Sequence, residues 1–160
     1  MADLRLTRAP AAKTAMLIRR PAAEVFEAFA DPTVTTRFWF TKSSGRLQPG
    51  ARVVWEWEMY GHSAPVDVRE VEPNRRIVIE WPGEGGPSRV EWTFDDRVDG
   101  TTFVSITNDG FAGDGDALVR RALDSTEGFA LVLSAAKALL EHGIELNTVG
   151  DRFPGETGEE

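Results

Sequence analysis

The side chains best placed to do chemistry in this 160-residue chain are aromatic. It holds five tryptophans and nine phenylalanines. Trp55, Trp57, Trp81, Trp92 and Phe94 fall on one side of segments where apolar and charged residues alternate, and Met59 continues that side. One such ring buries about 150 to 250 Å². Several on one surface either interlock as a dry core or wall a pocket of roughly 300 to 1,000 Å³ for a small molecule. A few polar groups among apolar walls would orient a ligand. The candidates are His62 between Gly61 and Ser63, Asn108 on the side of Val104 and Ile106, and Thr126 within an apolar stripe. Imidazole titrates near neutrality and could serve as donor or general base, although a histidine in a turn is more often simply solvated.

Dedicated catalytic signatures are missing. The sequence has no GxSxG, HExxH, GxxxxGK[ST] or GxGxxG motif. Gly83 to Gly86 precedes no helix, so it reads as a hairpin loop and not as a phosphate cradle. Glu56 and Glu58 share a face, but it is the one opposite the tryptophans, and no acid and base pair emerges. Asn108, Asp109, Asp114 and Asp116 lack the spacing of a calcium loop. No metal and no cofactor is expected. With no cysteine there is no disulfide, thiolate site or cysteine nucleophile.

The charge balance narrows the partners. A net charge of −8, with 18 scattered Lys and Arg, repels phosphate backbones and argues against nucleic acid. No run approaches the roughly 20 apolar residues of a membrane span, and the N-terminal stretch lacks a signal-like apolar segment, so a cytoplasmic protein is expected. Apolar residues at 41% and charged residues at 28% are ordinary for one globular domain. Residues 1–12 read as a flexible arm, 13–145 as the domain, and 146–160 as a tail whose acidic end has nothing to bury.

Periodicity supplies the elements that must position these rings. A first strand over residues 13–19 stops at Arg20-Pro21. A helix follows in which Val25, Phe26 and Phe29 recur at helical spacing until Asp31-Pro32, and a second short helix covers 33–38. Residues 52–60 alternate as a half-buried strand. Val66, Val68 and Val71 form another, with a parity break at Arg69 or Glu70 that predicts a β-bulge. A strand containing Ile77, Ile79 and Trp81, closed by Pro82 and the loop from Gly83 to Pro87, is followed by strands containing Val90, Trp92 and Phe94, then Val104 and Ile106, joined by short loops as in an antiparallel meander. From about Asp116 to His142 the period becomes helical: Val119, Ala122, Thr126, Phe129, Leu133, Ala136 and Leu140 make one stripe ending near Gly143. His142 suits the negative end of that helix dipole. Gly128 interrupts the helix at a cost near 1 kcal/mol relative to alanine. It serves close packing on the sheet, the approach of Trp55 or a ligand to the helix, or a hinge that makes residues 115–127 a lid.

The segments RRPAAEVFEAFADP (19–32), FWFTKSSGRLQPG (38–50), VEPNRRIVIEW (71–81), TNDGF (107–111) and GFALVLSAAKALLE (128–141) resemble the START-like, or SRPBCC, superfamily. Within it they most resemble the activator of heat-shock-protein-90 ATPase homologue-like branch. The resemblance implies an α+β helix-grip fold: a curved antiparallel sheet of about six strands around a long C-terminal helix, with two short helices after the first strand and a cavity between. Members bind lipids or other apolar molecules, cyclise polyketides or assist a chaperone.

The expectation is therefore a lipid-like or aromatic ligand held by Trp39, Trp55, Trp57, Met59, His62, Trp81, Trp92, Phe94, Asn108, Phe111, Thr126 and Phe129. A polyketide cyclase-like enzyme using His62 and Asn108 is the first alternative. A chaperone cofactor is the second. The chaperone activators of this branch carry a further N-terminal domain, whereas about a dozen residues precede the first strand here, so no chaperone stimulation is expected. An open sheet leaves edges that another copy could pair with, which is compatible with a homodimer.

Overall fold

The computed structural model describes residues 5–83 and 85–155. Strand β1 (Ala12–Ile18) leads into α1 (Ala22–Ala30) and α2 (Pro32–Thr35). Pro21 holds an extended backbone at the start of α1, where its missing N–H costs nothing. Pro32 stops α1, and the Asp31 side chain accepts from the Thr33 N–H and hydroxyl to start α2. The second helix is thus earlier and shorter than the spacing predicts. Thr35 is wholly buried and donates to the Ala28 carbonyl at 2.5 Å, tying the two helices together.

Six further strands complete an antiparallel sheet: β2 (Lys42–Ser43), β3 (Arg52–Trp57), β4 (His62–Glu72), β5 (Arg76–Gly83), β6 (Gly86–Asp96) and β7 (Thr102–Asp109). Their order is β1-β7-β6-β5-β4-β3-β2. The meander read from the sequence is confirmed, with β1 crossing over to pair with β7 and the two-residue β2 as an extra edge. The register of β4 against β5 shifts between Val68 and Glu70, which is the predicted bulge. Asn74 takes a positive φ of 65° in the turn between them.

Two expectations about strand ends are corrected. The strand predicted over 52–60 ends at Trp57, because the chain turns into one 3-10 turn (Glu58–Tyr60) closed by Gly61 at φ 59°. The Glu58 N–H donates to the Thr41 hydroxyl, so the ladder stops there. Met59 consequently leaves the tryptophan face. In contrast, the glycines and prolines after Trp81 do not end β5: Pro82 pairs with Pro87 and Gly83 with Gly86 in a hairpin that stays paired to its tip.

Helix α3 (Gly115–His142) is started by the Asp114 carboxylate, which accepts from the Ala117 N–H at 2.9 Å. It ends at Gly143 (φ 68°), whose N–H reaches the Leu139 carbonyl. Its C-terminal half is fastened to β1: Lys137 Nζ donates to the Leu17 carbonyl and to Glu141, and Glu141 also accepts from the Arg19 N–H, all at 2.7 Å. Burial along the helix is uneven. Phe129, Val132, Leu133, Ala135, Ala136 and Leu139 are buried in the second half, but only Ala122 in the first. The first half therefore packs less closely on the sheet.

Residues 146–155, read as part of a tail, fold back instead. A short α4 (Thr148–Asp151) rests on α3, and Thr148 donates to the Leu131 carbonyl at 3.0 Å. Residues 156–160, with the acidic end, lie outside the described residues, as do residues 1–4 of the arm. Leu6 of the arm lies against Gly115.

Candidate functional site

A cavity of about 740 Å³ opens between α3 and the concave face. Alternation places Trp57 of β3 and Trp81 of β5 inward, and Trp39 enters from the loop after α2. Trp81 stacks on Phe129 of α3 with ring centroids 5.9 Å apart, and Trp39 meets both rings edge-on at 5.6 and 6.2 Å. These three rings form the floor. Phe111 borders the cavity on one side and His62 on another, the latter 5.5 Å from the Trp57 ring.

Seven of the expected site residues, Trp39, Trp57, His62, Trp81, Asn108, Phe111 and Phe129, are brought together in the wall. The other five are elsewhere. Trp55, Trp92 and Phe94 are buried in the core beneath, where Phe40 stacks on Trp55 at 4.5 Å and Phe26 meets Phe94 at 5.6 Å. Their inward direction agrees with the alternation, but other rings lie opposite them, so they fill space. Met59 is 36% exposed beyond the end of β3. Thr126 turns its hydroxyl onto the Ala122 carbonyl of its own helix at 2.7 Å, and the neighbouring Ser125 faces the cavity instead.

Asn108 is the polar centre. It is 3% exposed, and its Nδ2 donates to the Arg89 carbonyl at 2.8 Å and to Ser88 Oγ at 3.1 Å. Its Oδ1 accepts from the Ser125 hydroxyl at 2.8 Å. A buried amide so satisfied is a fixed feature of the wall. His62 lies at the far end: strands β5 and β6 separate β4 from β7, a lateral distance on the order of 14 Å at normal strand spacing.

The sequence reading misses the roof. Val149, Arg152 and Phe153 of the folded-back segment border the cavity together with Tyr60. The Tyr60 hydroxyl donates to the Val149 carbonyl at 2.5 Å, Arg152 bonds Glu127 at 2.8 Å, and Phe153 meets the Tyr60 ring edge-on at 6.1 Å. Val149 and Phe153, spaced four apart after Gly143, were the available signal for a short amphipathic turn.

Gly128 borders the cavity at an exposed position of α3, and a Cβ placed on it would meet no heavy atom within 4 Å beyond its own helix backbone and chain neighbours. Close packing on the sheet therefore does not explain this glycine.

Comparison with known proteins agrees with this architecture. Residues 19–141 match the family model described as Activator of Hsp90 ATPase homolog 1-like protein. Among solved structures, the protein SSP2350 from Staphylococcus saprophyticus is 30% identical with a TM-score of 0.73, over 86% of this chain and 96% of that one. The Aha1 dimer from Colwellia psychrerythraea is 16% identical with a TM-score of 0.69, over 84% and 98%. CalU16 from Micromonospora echinospora is 18% identical with a TM-score of 0.66, over 92% and 93%. No curated protein matches the chain. Among the described residues no helix is long and apolar enough to cross a membrane.

Proposed function

The chain belongs to the Activator of Hsp90 ATPase homolog 1-like family, of START-like helix-grip fold, and from that premise we propose that it binds a small, ring-bearing apolar molecule in the cavity under α3. The observation that carries this reading is the cavity of about 740 Å³ itself, bordered by Trp39, Trp57, Trp81, Phe111 and Phe129 with the buried Asn108 among them. Trp39, Trp57, Trp81, Phe111 and Phe129 give the wall its apolar part, which favours a ring-bearing partner over a flexible chain. The volume falls within the usual range for small-molecule sites.

Binding is favoured over catalysis by the register. His62 and Asn108 stand two intervening strands apart, so they serve opposite ends of a ligand and do not converge on one atom, as a proton-transfer pair must. The direct test is titration with 2-isopropylnaphthalene, followed by tryptophan fluorescence and by native mass spectrometry. The wild-type protein is expected to form a saturable one-to-one adduct, and Gly128→Leu to form none. Absence of any adduct with the folded wild-type protein overturns the reading.

A further inference from the structure

We propose that Ser88, Asn108 and Ser125 form a subsite that selects the ligand by its polar end: a group with a hydrogen-bond acceptor and a donor side by side, such as a carboxamide or lactam. This rests on the binding role proposed above and adds the chemistry of what is bound.

One atom fixes the direction of the relay. The Arg89 carbonyl can only accept, so the Asn108 atom 2.8 Å from it is the amide nitrogen. The second proton of that nitrogen goes to Ser88 Oγ, and Oδ1 on the other side must accept from the Ser125 hydroxyl. Ser88 thus accepts from Asn108 and still has its own proton to give, which no described residue takes. Ser125 has given its proton and keeps lone pairs to offer. Both residues belong to the cavity wall. Ser88 and Asn108 are buried, so water competes weakly for them and an unmatched ligand group costs more than it would in solvent.

The two ends of the relay are therefore one unfilled donor and one unfilled acceptor, flanking an amide. Their complement is an amide-like group whose carbonyl accepts from Ser88 and whose N–H donates to Ser125. A carboxylate offers two acceptors and no donor, and would face the Ser125 lone pairs; a site built for a polar group rejects a partner that lacks the matching one.

Three naphthalenes of nearly equal size test this. Naphthalene-2-carboxamide carries acceptor and donor, 2-acetylnaphthalene the acceptor alone, and 2-isopropylnaphthalene neither. Calorimetric Kd values are measured for each with the wild-type protein, Ser88→Ala and Ser125→Ala. The expected result is that Ser125→Ala weakens the carboxamide about tenfold and leaves the acetyl compound within about twofold, whereas Ser88→Ala weakens both about tenfold. The isopropyl compound reports an intact cavity and should change by less than about twofold in either variant. Ser125→Cys, which keeps the side-chain size but accepts poorly, repeats the test should Ser125→Ala fold badly. Equal losses for all three compounds, or none, overturn the subsite while the binding role stands. No saturable binding of the isopropyl compound to the wild-type protein overturns both.

Discussion

The concave face of the sheet carries tryptophans throughout, yet its two regions end differently. Where α1 lies opposite, Phe26 and Phe29 meet Phe94 and Trp92 at 5.6 and 6.0 Å, and the surface is a dry core. Where the first half of α3 lies opposite, Gly128 projects nothing, and Trp39, Trp57 and Trp81 wall an opening of about 740 Å³. Alternation within a strand decides which face a ring points to. Whether that ring becomes core or wall is decided by the element across from it.

The largest expected difference between the regions is energetic. Trp92→Ala should destabilise the protein by about 3 to 5 kcal/mol, because it leaves a void that close-packed neighbours cannot fill. Trp81→Ala should cost roughly 1 to 2 kcal/mol, since its ring already borders open space. Urea unfolding of the two variants measures this, and equal losses would erase the distinction between core and wall.

The next effect sharpens the contrast within α3, whose second half is fastened to β1. Burial pushes the Glu141 carboxyl up, but Lys137 and the Arg19 N–H outweigh it and hold the group below the ordinary carboxylate range. Its charged form therefore stabilises the fold fully above pH 4.5, the ordinary value, and that contribution is lost as pH falls through the lower folded value. Glu141→Gln should cost about 2 kcal/mol at neutral pH, and the gap from wild type should close in acid. Thermal unfolding across pH 3 to about 7 reads both; a gap independent of pH would place the effect in packing, not charge.

The smallest effect carries the opposite sign. Gly128→Ala should raise stability by up to about 1 kcal/mol, through helix propensity and a less flexible unfolded chain, and should weaken binding of 2-isopropylnaphthalene at the same time. Loss of stability would mean that the glycine is packed after all, and would remove the open region from the comparison.

Much of this was legible from residue order. Pro21, Asp31-Pro32 and Gly143 mark element ends through backbone constraints that act locally, the Arg69 parity break marks the bulge within β4, and the two periods separate sheet from helix. The sequence-segment resemblance to START-like proteins gave the arrangement of the elements. The division of the rings was not legible, because Trp55 and Trp57 are equivalent by alternation and differ only in what the loop after α2 and the helices place over them. Met59 was misassigned for a related reason: the hydrophobic pattern continues past Trp57, but the Thr41 hydroxyl takes the Glu58 N–H and ends the strand. Thr126 and Ser125 differ by one helical step of about 100°, less than a broad apolar stripe resolves. The roof over the cavity depends on Tyr60 meeting a segment about 90 residues later, a contact that neither segment announces alone.

The five tryptophans offer the most direct test, since three border the cavity and two lie in the core. In a ¹⁵N-correlated NMR spectrum each indole N–H gives its own resonance, and 2-isopropylnaphthalene is added to saturation. The indoles of Trp39, Trp57 and Trp81 should shift strongly while those of Trp55 and Trp92 stay nearly in place. Movement of the core pair with the wall trio unmoved, or no movement at all, would contradict a binding cavity under α3.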